Sequence, residues 1–69
     1  MKRILEIINQ GKEVFLNNLE FTIRIIKNQN SYKLTSYDKE IKEKEISYIN
    51  EKELENFLKN NSNNFHFFS

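Results

Sequence analysis

Four amino-acid types are missing from this 69-residue chain, namely cysteine, alanine, proline and tryptophan, and glycine and histidine occur once each. Without cysteine the chain forms no disulfide, and it has no thiolate to act as a nucleophile or a metal ligand. With Gly11 as its single glycine, it has no glycine-rich loop of the kind that cradles phosphates. These absences remove much of the chemistry on which small enzymes and metal-binding domains depend.

The residues that are abundant point to the base composition of the gene. Isoleucine, lysine, asparagine, phenylalanine and tyrosine together make up more than half of the chain. Their codons are written mostly with A and T, whereas alanine, proline and glycine need G or C in the first two codon positions. The composition therefore indicates an AT-rich bacterial genome or that of its phage.

Size and charge narrow the class of protein. The chain carries 11 Lys and Arg against 10 Asp and Glu, for a formal net charge of +1, so it is not a strongly basic nucleic-acid binder. A domain of this length buries only about 60% of its unfolded surface, and without disulfides it depends either on idealised packing or on association with a partner or a second copy. No apolar run reaches the roughly 18 residues of a membrane span, and Glu6 interrupts any signal-peptide core. We expect a cytoplasmic protein without a membrane partner.

Two helices are predicted, one near each end of the chain. Apolar residues in residues 2–10 recur at helical spacing, and Gly11 then suits the left-handed conformation that ends helices. The stronger signal predicts a helix over residues 51–60. Asn50 is a good N-cap, Glu53 completes a capping box, and Ile49 and Leu54 form a hydrophobic staple across the helix start.

Between the helices the pattern is that of β-strands. Residues 14–21 read as two strand segments around an Asn17-Asn18 turn, and from Leu19 apolar residues alternate with polar ones. A polar turn at residues 27–30 precedes a strand at 31–37, which makes residues 19–37 the best hairpin. Residues 38–45 are a charge run that reads either as a loop or as an edge strand protected by its lysines and glutamates.

These elements predict an α+β fold. An N-terminal helix, an antiparallel sheet of three or four strands and the capped C-terminal helix follow one another, with both helices on one sheet face. Residues 1–60 form this single domain, and residues 61–69 are an Asn-rich spacer with an aromatic tail. The predicted core comprises Ile4, Leu5, Ile8, Leu19, Phe21, Ile23, Ile25, Leu34, Leu54, Phe57 and Leu58.

Candidates for catalysis or metal binding are few. His66 is the only histidine and follows the polar spacer, where nothing in the sequence positions it, and a zinc site needs three or four ligands. Glu40, Glu43 and Glu45 are interleaved with lysines and lack the Asp-rich spacing of a calcium loop. We expect no enzyme activity, no metal, no cofactor and no small-molecule substrate.

Two surfaces are candidates for binding a macromolecule. The tail residues Phe65, Phe67 and Phe68 either fold back, pair in a homodimer or dock in a groove of a larger protein. The hairpin carries Arg24, Lys27, Lys33 and Tyr37, a basic and aromatic set that suits contacts with phosphates and stacked bases.

The leading functional hypothesis is a small non-catalytic interaction module, an accessory or inhibitory protein that occupies a surface on a larger protein partner. The alternatives are a small nucleic-acid-binding or regulatory domain that uses the hairpin, and a structural subunit of a homo-oligomer.

Overall fold

The computed structural model describes residues 2–61 and 66–68. These residues form two helices and one antiparallel sheet, so the predicted α+β fold is confirmed. Three or four strands were predicted, and the sheet contains four strands before α2 and a short fifth strand from the tail. In chain order the elements are α1 (Lys2–Asn9), β1 (Val14–Asn17), β2 (Thr22–Asn28), β3 (Ser31–Tyr37), β4 (Glu43–Ile49), α2 (Glu51–Asn60) and β5 (His66–Phe68).

Both helices end and begin where the sequence predicts. α1 is followed by Gly11 at a φ of 90°, with the Gly11 N–H donating to the Ile8 carbonyl at 3.0 Å. At the start of α2 the Asn50 side chain accepts from the Glu53 N–H at 2.8 Å, while the Glu53 carboxylate accepts from the Asn50 N–H at 3.0 Å. This reciprocal pair is the predicted capping box.

The four longer strands form a meander. The strand order is β4-β3-β2-β1-β5, and every neighbouring pair is antiparallel. β2 and β3 are joined by the two-residue turn Gln29-Asn30, tighter than the predicted turn over 27–30. Gln29 takes the positive φ of 58° that a type II′ hairpin turn requires at its first position.

α1 and α2 cover the same face of the sheet, and the core lies between them and the strands. α1 packs on β1 and β2, and α2 packs on β3. Six of the eleven predicted core residues are buried, from α1, β2, β3 and α2, and four more pack against the core. β1 contributes the buried residues Val14 and Leu16, which the prediction omitted. The buried core comprises Ile8, Val14, Leu16, Ile23, Ile25, Tyr32, Leu34, Leu54 and Leu58.

One predicted core residue is wrong. Leu19 is 90% exposed, because β2 begins at Thr22 and Leu19 lies in the connection before it. The apolar alternation therefore runs through a loop at that point rather than along a strand. Phe21 and Phe57 were also predicted as core residues. Both are half-buried and pack against the buried core.

Tyr32 ties the two helices to the sheet. Its hydroxyl lies 2.5 Å from Oδ1 of Asn9 at the end of α1 and 3.3 Å from Oε1 of Glu51 at the start of α2.

Neither helix in the part of the chain that the structure describes has the length and apolar character that a membrane span needs.

Candidate functional site

Two connections meet at one end of the sheet, which we call the loop end. Residues 18–21 join β1 to β2, and residues 38–42 join β3 to β4. They lie side by side because Thr22, the first residue of β2, pairs with Tyr37, the last residue of β3.

The first connection is held by one asparagine. Asn18 Oδ1 accepts hydrogen bonds from the N–H groups of Glu20 at 2.8 Å and Phe21 at 2.9 Å. The Asn18 N–H donates to the Phe21 carbonyl at 3.1 Å. This local network fixes the backbone without using Leu19, whose side chain is left in solvent at the tip.

The second connection is held by one aspartate. Asp38 Oδ1 accepts from the N–H groups of Glu40 and Lys42, each at 2.9 Å, and the Asp38 N–H donates to the Lys42 carbonyl at 3.0 Å. The bond from Lys42, more than any other contact, lowers the pKa of the Asp38 carboxyl. The charge run at residues 38–45 was predicted to be either a loop or an edge strand. The structure has both, a turn through residue 42 and then the start of the edge strand β4.

Ile41 is an unusual residue for its position in this turn. Its φ of 62° lies in the left-handed region, which a β-branched side chain rarely adopts and which costs about 1–2 kcal/mol. Its side chain is also 73% exposed. Glycine adopts this φ without that steric cost, although it loses more conformational freedom on folding.

A groove of about 430 Å³ opens beside these loops, on the face of the sheet that carries the helices. Its apolar lining is formed by Phe21, Ile23, Leu34 and Phe57. α1 packs over β1 and β2 and α2 over β3, so the corner near the loop end is incompletely covered. A concave surface of this size and apolar character fits a side chain or short segment of another molecule.

Charged residues surround the groove. Its rim includes Glu20, Asp38, Lys44 and Glu45. The Lys44 Nζ lies 3.6 Å from Asp38 Oδ2, so the single rim cation is already paired with one of the acids. Three carboxylates against one ammonium make the rim acidic. A smaller depression of about 220 Å³, lined by Asn18, Glu20 and Ile41 among others, connects the two loops.

The face of the sheet opposite the helices carries most of the predicted nucleic-acid set. Cross-strand register places Arg24 opposite Thr35, and Lys33 and Tyr37 lie two residues to either side of Thr35 on β3. Arg24 forms an ion pair with Glu13, and its hydrogen bond with Tyr37, more than that ion pair, raises the pKa of the guanidinium.

Lys27 does not belong to this surface. It pairs with Tyr32, whose side chain is buried on the helix side of the sheet. Side chains alternate along β2, so Lys27 lies on the opposite face from Arg24. Of the four residues predicted as one nucleic-acid site, three therefore share one face of the sheet and Lys27 lies on the other.

The tail forms backbone pairs with the sheet. His66, Phe67 and Phe68 pair with Asn17, Leu16 and Phe15 of β1. Phe65 lies outside the described residues. The backbone of the tail is thus folded back over residues 66–68, and binding of a partner by the three phenylalanines stays a prediction.

The candidates for metal binding or acid/base chemistry are dispersed. Glu40, Glu43 and Glu45 are all exposed, and Glu40 pairs with Lys42 at 3.3 Å. His66 is exposed on β5, at the opposite edge of the sheet from β4. Across residues 2–61 and 66–68, no three acidic or imidazole side chains come together as ligands for a metal ion.

The groove was not predicted from the sequence, although two features of the sequence bear on it. Asn18 and Asp38 are residues that favour turns, and each is followed closely by an apolar residue that a solvent-exposed loop does not need. The groove itself forms where the two helices leave the sheet uncovered, and no local sequence pattern predicts that position.

No protein-family model matches the chain, and neither a curated protein nor a solved structure is significantly similar to it.

Proposed function

We propose that this protein is a non-catalytic interaction module that binds a larger protein partner through its loop end. The observation that carries the proposal is the exposure of two large aliphatic side chains, Leu19 at 90% and Ile41 at 73%, on adjacent loops beside an apolar groove. Exposed apolar clusters rimmed by polar groups are characteristic of protein interaction sites.

The chemistry of the groove favours one kind of partner segment. Its apolar floor receives an apolar side chain, and its acidic rim attracts basic side chains next to it. The expected partner therefore presents an aliphatic or aromatic residue flanked by lysine or arginine. Placing the protein in the cytoplasm of an AT-rich bacterium or its phage, as an accessory or inhibitory factor, is part of this proposal and is supported by composition alone.

Ile41 supplies a test with two readouts. Ile41→Gly relieves the strained φ and should raise the free energy of unfolding by about 1 kcal/mol, although glycine is more flexible when unfolded. The same change removes an exposed apolar contact and should weaken partner binding. A variant that becomes more stable and binds less well separates a functional role from a structural one.

The binding experiment compares variants of the tagged chain in pull-downs from the source organism after nuclease treatment. Leu19→Ser and Ile41→Gly should lose a protein that the unmodified chain retains. Lys39→Ser is the matched control, because Lys39 is exposed in the same turn and is not apolar. A retained protein that all three variants capture equally would overturn the assignment to the loop end.

A second candidate function has its own observation. Arg24, Lys33 and Tyr37 share the face of the sheet opposite the helices, and Tyr48 of β4 pairs with Lys33 on that face. Bases stack on aromatic rings of such sheet faces while cations contact the phosphates. It ranks second because Arg24 is engaged by Glu13 and Tyr37, and because Lys27 lies on the other face.

A further inference from the structure

β4 is the outer strand of the sheet on the side away from β5. Among the described residues no strand or helix pairs with its outer edge, over a strand seven residues long. An edge of this length presents unpaired backbone groups to any extended segment that matches it.

The tight turn between β2 and β3 fixes the hydrogen-bonding phase of the sheet. A two-residue turn is closed by a hydrogen-bonded pair, here Asn28 and Ser31, and hydrogen-bonded and non-hydrogen-bonded pairs then alternate along an antiparallel ladder. The bond from the Asn18 N–H to the Phe21 carbonyl agrees with this phase at the other end of β2.

Within β3, residues that bond to β2 alternate with residues that bond to β4. This alternation determines which residues of β4 direct their backbone groups toward β3 and which direct them outward. Leu34 and Tyr32 direct their N–H and C=O groups to β4, where they pair with Ser47 and Ile49. Ile46 and Tyr48, the alternate residues, therefore direct their own N–H and C=O groups to the free edge. The same two residues have exposed side chains, 42% for Ile46 and 57% for Tyr48.

The charges of β4 discriminate between partners and between registers. Its first three residues, Glu43, Lys44 and Glu45, are charged, and the remaining four are not. If β4 of a second copy pairs antiparallel with Ser47 opposite Ser47, Ile46 of each copy lies opposite Tyr48 of the other. In the same register Glu45 of each copy lies opposite Ile49 of the other. A copy centred on Glu45 would place that glutamate opposite itself, which like-charge repulsion disfavours.

We propose that two copies of this chain associate through antiparallel pairing of their β4 strands, with the two-fold axis at Ser47. The N–H and C=O groups of Ile46 bond those of Tyr48 in the other copy, and the reverse pair completes about four new backbone bonds. The two isoleucine–tyrosine pairs form an apolar centre, and the charged halves of the strands lie outside it. The two sheets become one continuous sheet.

The absence of cysteine makes the geometry directly testable. Ser47 of one copy faces Ser47 of the other in a non-hydrogen-bonded pair, whose Cα atoms lie about 4.5 Å apart and so allow a disulfide. Under mild oxidation Ser47→Cys should form a covalent dimer at least about tenfold faster than Lys52→Cys, an exposed thiol on α2 that reports random collision. Equal rates for the two variants would overturn the proposed register.

A second pair of variants tests the backbone bonds without a thiol. Tyr48→Ala and Tyr48→Pro both remove the ring, but only proline also removes the N–H that points to the free edge, and the ladder with β3 is spared. Sedimentation equilibrium should show a dimer for the unmodified chain, a weaker dimer for Tyr48→Ala and a monomer for Tyr48→Pro, with circular dichroism confirming the fold.

The outcomes separate this proposal from the proposed function. A monomer at millimolar concentration of the unmodified chain overturns the dimer but not the proposed function, because the loop-end site is present in one copy and the residues that test it, Leu19 and Ile41, do not belong to β4. Loss of partner binding in Leu19→Ser with an unchanged dimer supports both. If Tyr48→Pro fails to fold, the comparison of Ser47→Cys with Lys52→Cys still decides the matter.

Discussion

At the scale of single residues, the start of α2 depends on Asn50. Its side chain satisfies the Glu53 N–H, one of the amides that a helix leaves without an internal partner. Asn50→Ala should lower the free energy of unfolding by about 1 kcal/mol, while Asn50→Asp keeps the acceptor and should retain the stability. Urea melts measure both, and identical midpoints for Asn50→Ala and the unmodified chain would contradict the assignment.

Tyr32 makes the stability of the fold sensitive to alkali. Its burial, and then the negative charge of Glu51, raise the pKa of the phenol above its ordinary value. The unfolded chain therefore loses this proton first, so the contribution is complete below about pH 10 and is lost as the pH rises through the folded pKa. Thermal melts from neutral to alkaline pH should show this decline, and Tyr32→Phe should flatten part of it.

The phenol also has a structural contribution at neutral pH. Tyr32→Phe removes the hydrogen bond to Asn9, and with it a link between α1 and the sheet. The loss should be about 1 kcal/mol, as for a typical hydrogen bond between side chains. A Tyr32→Phe variant with the same alkaline profile as the unmodified chain would show that other groups cause the decline.

At the scale of elements, β5 is the piece whose removal is most informative. Its three residues pair with β1, and by the phase of the sheet they bond the outward N–H groups of Phe15 and Asn17. Deleting residues 62–69 spares Asn61, whose N–H and side chain both donate to the Phe57 carbonyl at the end of α2. We expect the free energy of unfolding to fall by about 1–3 kcal/mol from the lost backbone bonds.

Hydrogen exchange locates the effect of that deletion. The amides of Phe15 and Asn17 should lose protection, whereas those of β3 should keep theirs. A chain in which residues 66–68 are replaced by Gly-Ser-Gly keeps the length and serves as the control for the rest of the tail. Unchanged melting and unchanged protection in both variants would show that β5 contributes nothing to the stability of the sheet.

The elements also show what the sequence could and could not predict. α2 was predictable because Asn50, Glu53, Ile49 and Leu54 all lie within six residues, so that local chemistry decides the helix start. Leu19 was mispredicted because an alternating pattern does not reveal where a loop interrupts it. β5 has three residues, too few for a period, and it pairs with a strand about fifty residues earlier.

The candidate site was even less predictable from the sequence, because it combines residues that are distant along the chain. Phe21 and Phe57 line one groove, yet they come from a loop and a helix on opposite sides of three strands in sequence. Their partial exposure depends on how far α2 extends over β3. That Lys33 and Tyr37 share a face was predictable from strand alternation, whereas the face of Arg24 relative to theirs is set by the turn between β2 and β3. Lys27 was not excluded because the sequence placed it in the turn at 27–30, whereas β2 extends to Asn28 and alternation puts Lys27 on the other face.

At the scale of the whole molecule, the charge balance sets the limits of nucleic-acid binding. A net charge of +1 gives little non-specific attraction to phosphates, so any binding should be weak and steeply dependent on salt. Arg24→Glu with Lys33→Glu should abolish it, and Lys27→Glu, on the other face, is the matched control. Fluorescence anisotropy with single-stranded and double-stranded oligonucleotides at low salt makes the measurement, and flat titrations of the unmodified chain would exclude this function.

The meander of β1 to β4 has a consequence for the speed of folding. Each of these strands pairs with its neighbour in the chain, across connections of only two to five residues, so little loop entropy is lost before each pairing forms. Its contact order is therefore low for a protein rich in sheet, and folding should be fast, with the β2–β3 hairpin as an early nucleus. Among the strands that the structure describes, only β5 pairs with a strand distant in sequence, β1, so this pairing closes a long loop and should form last.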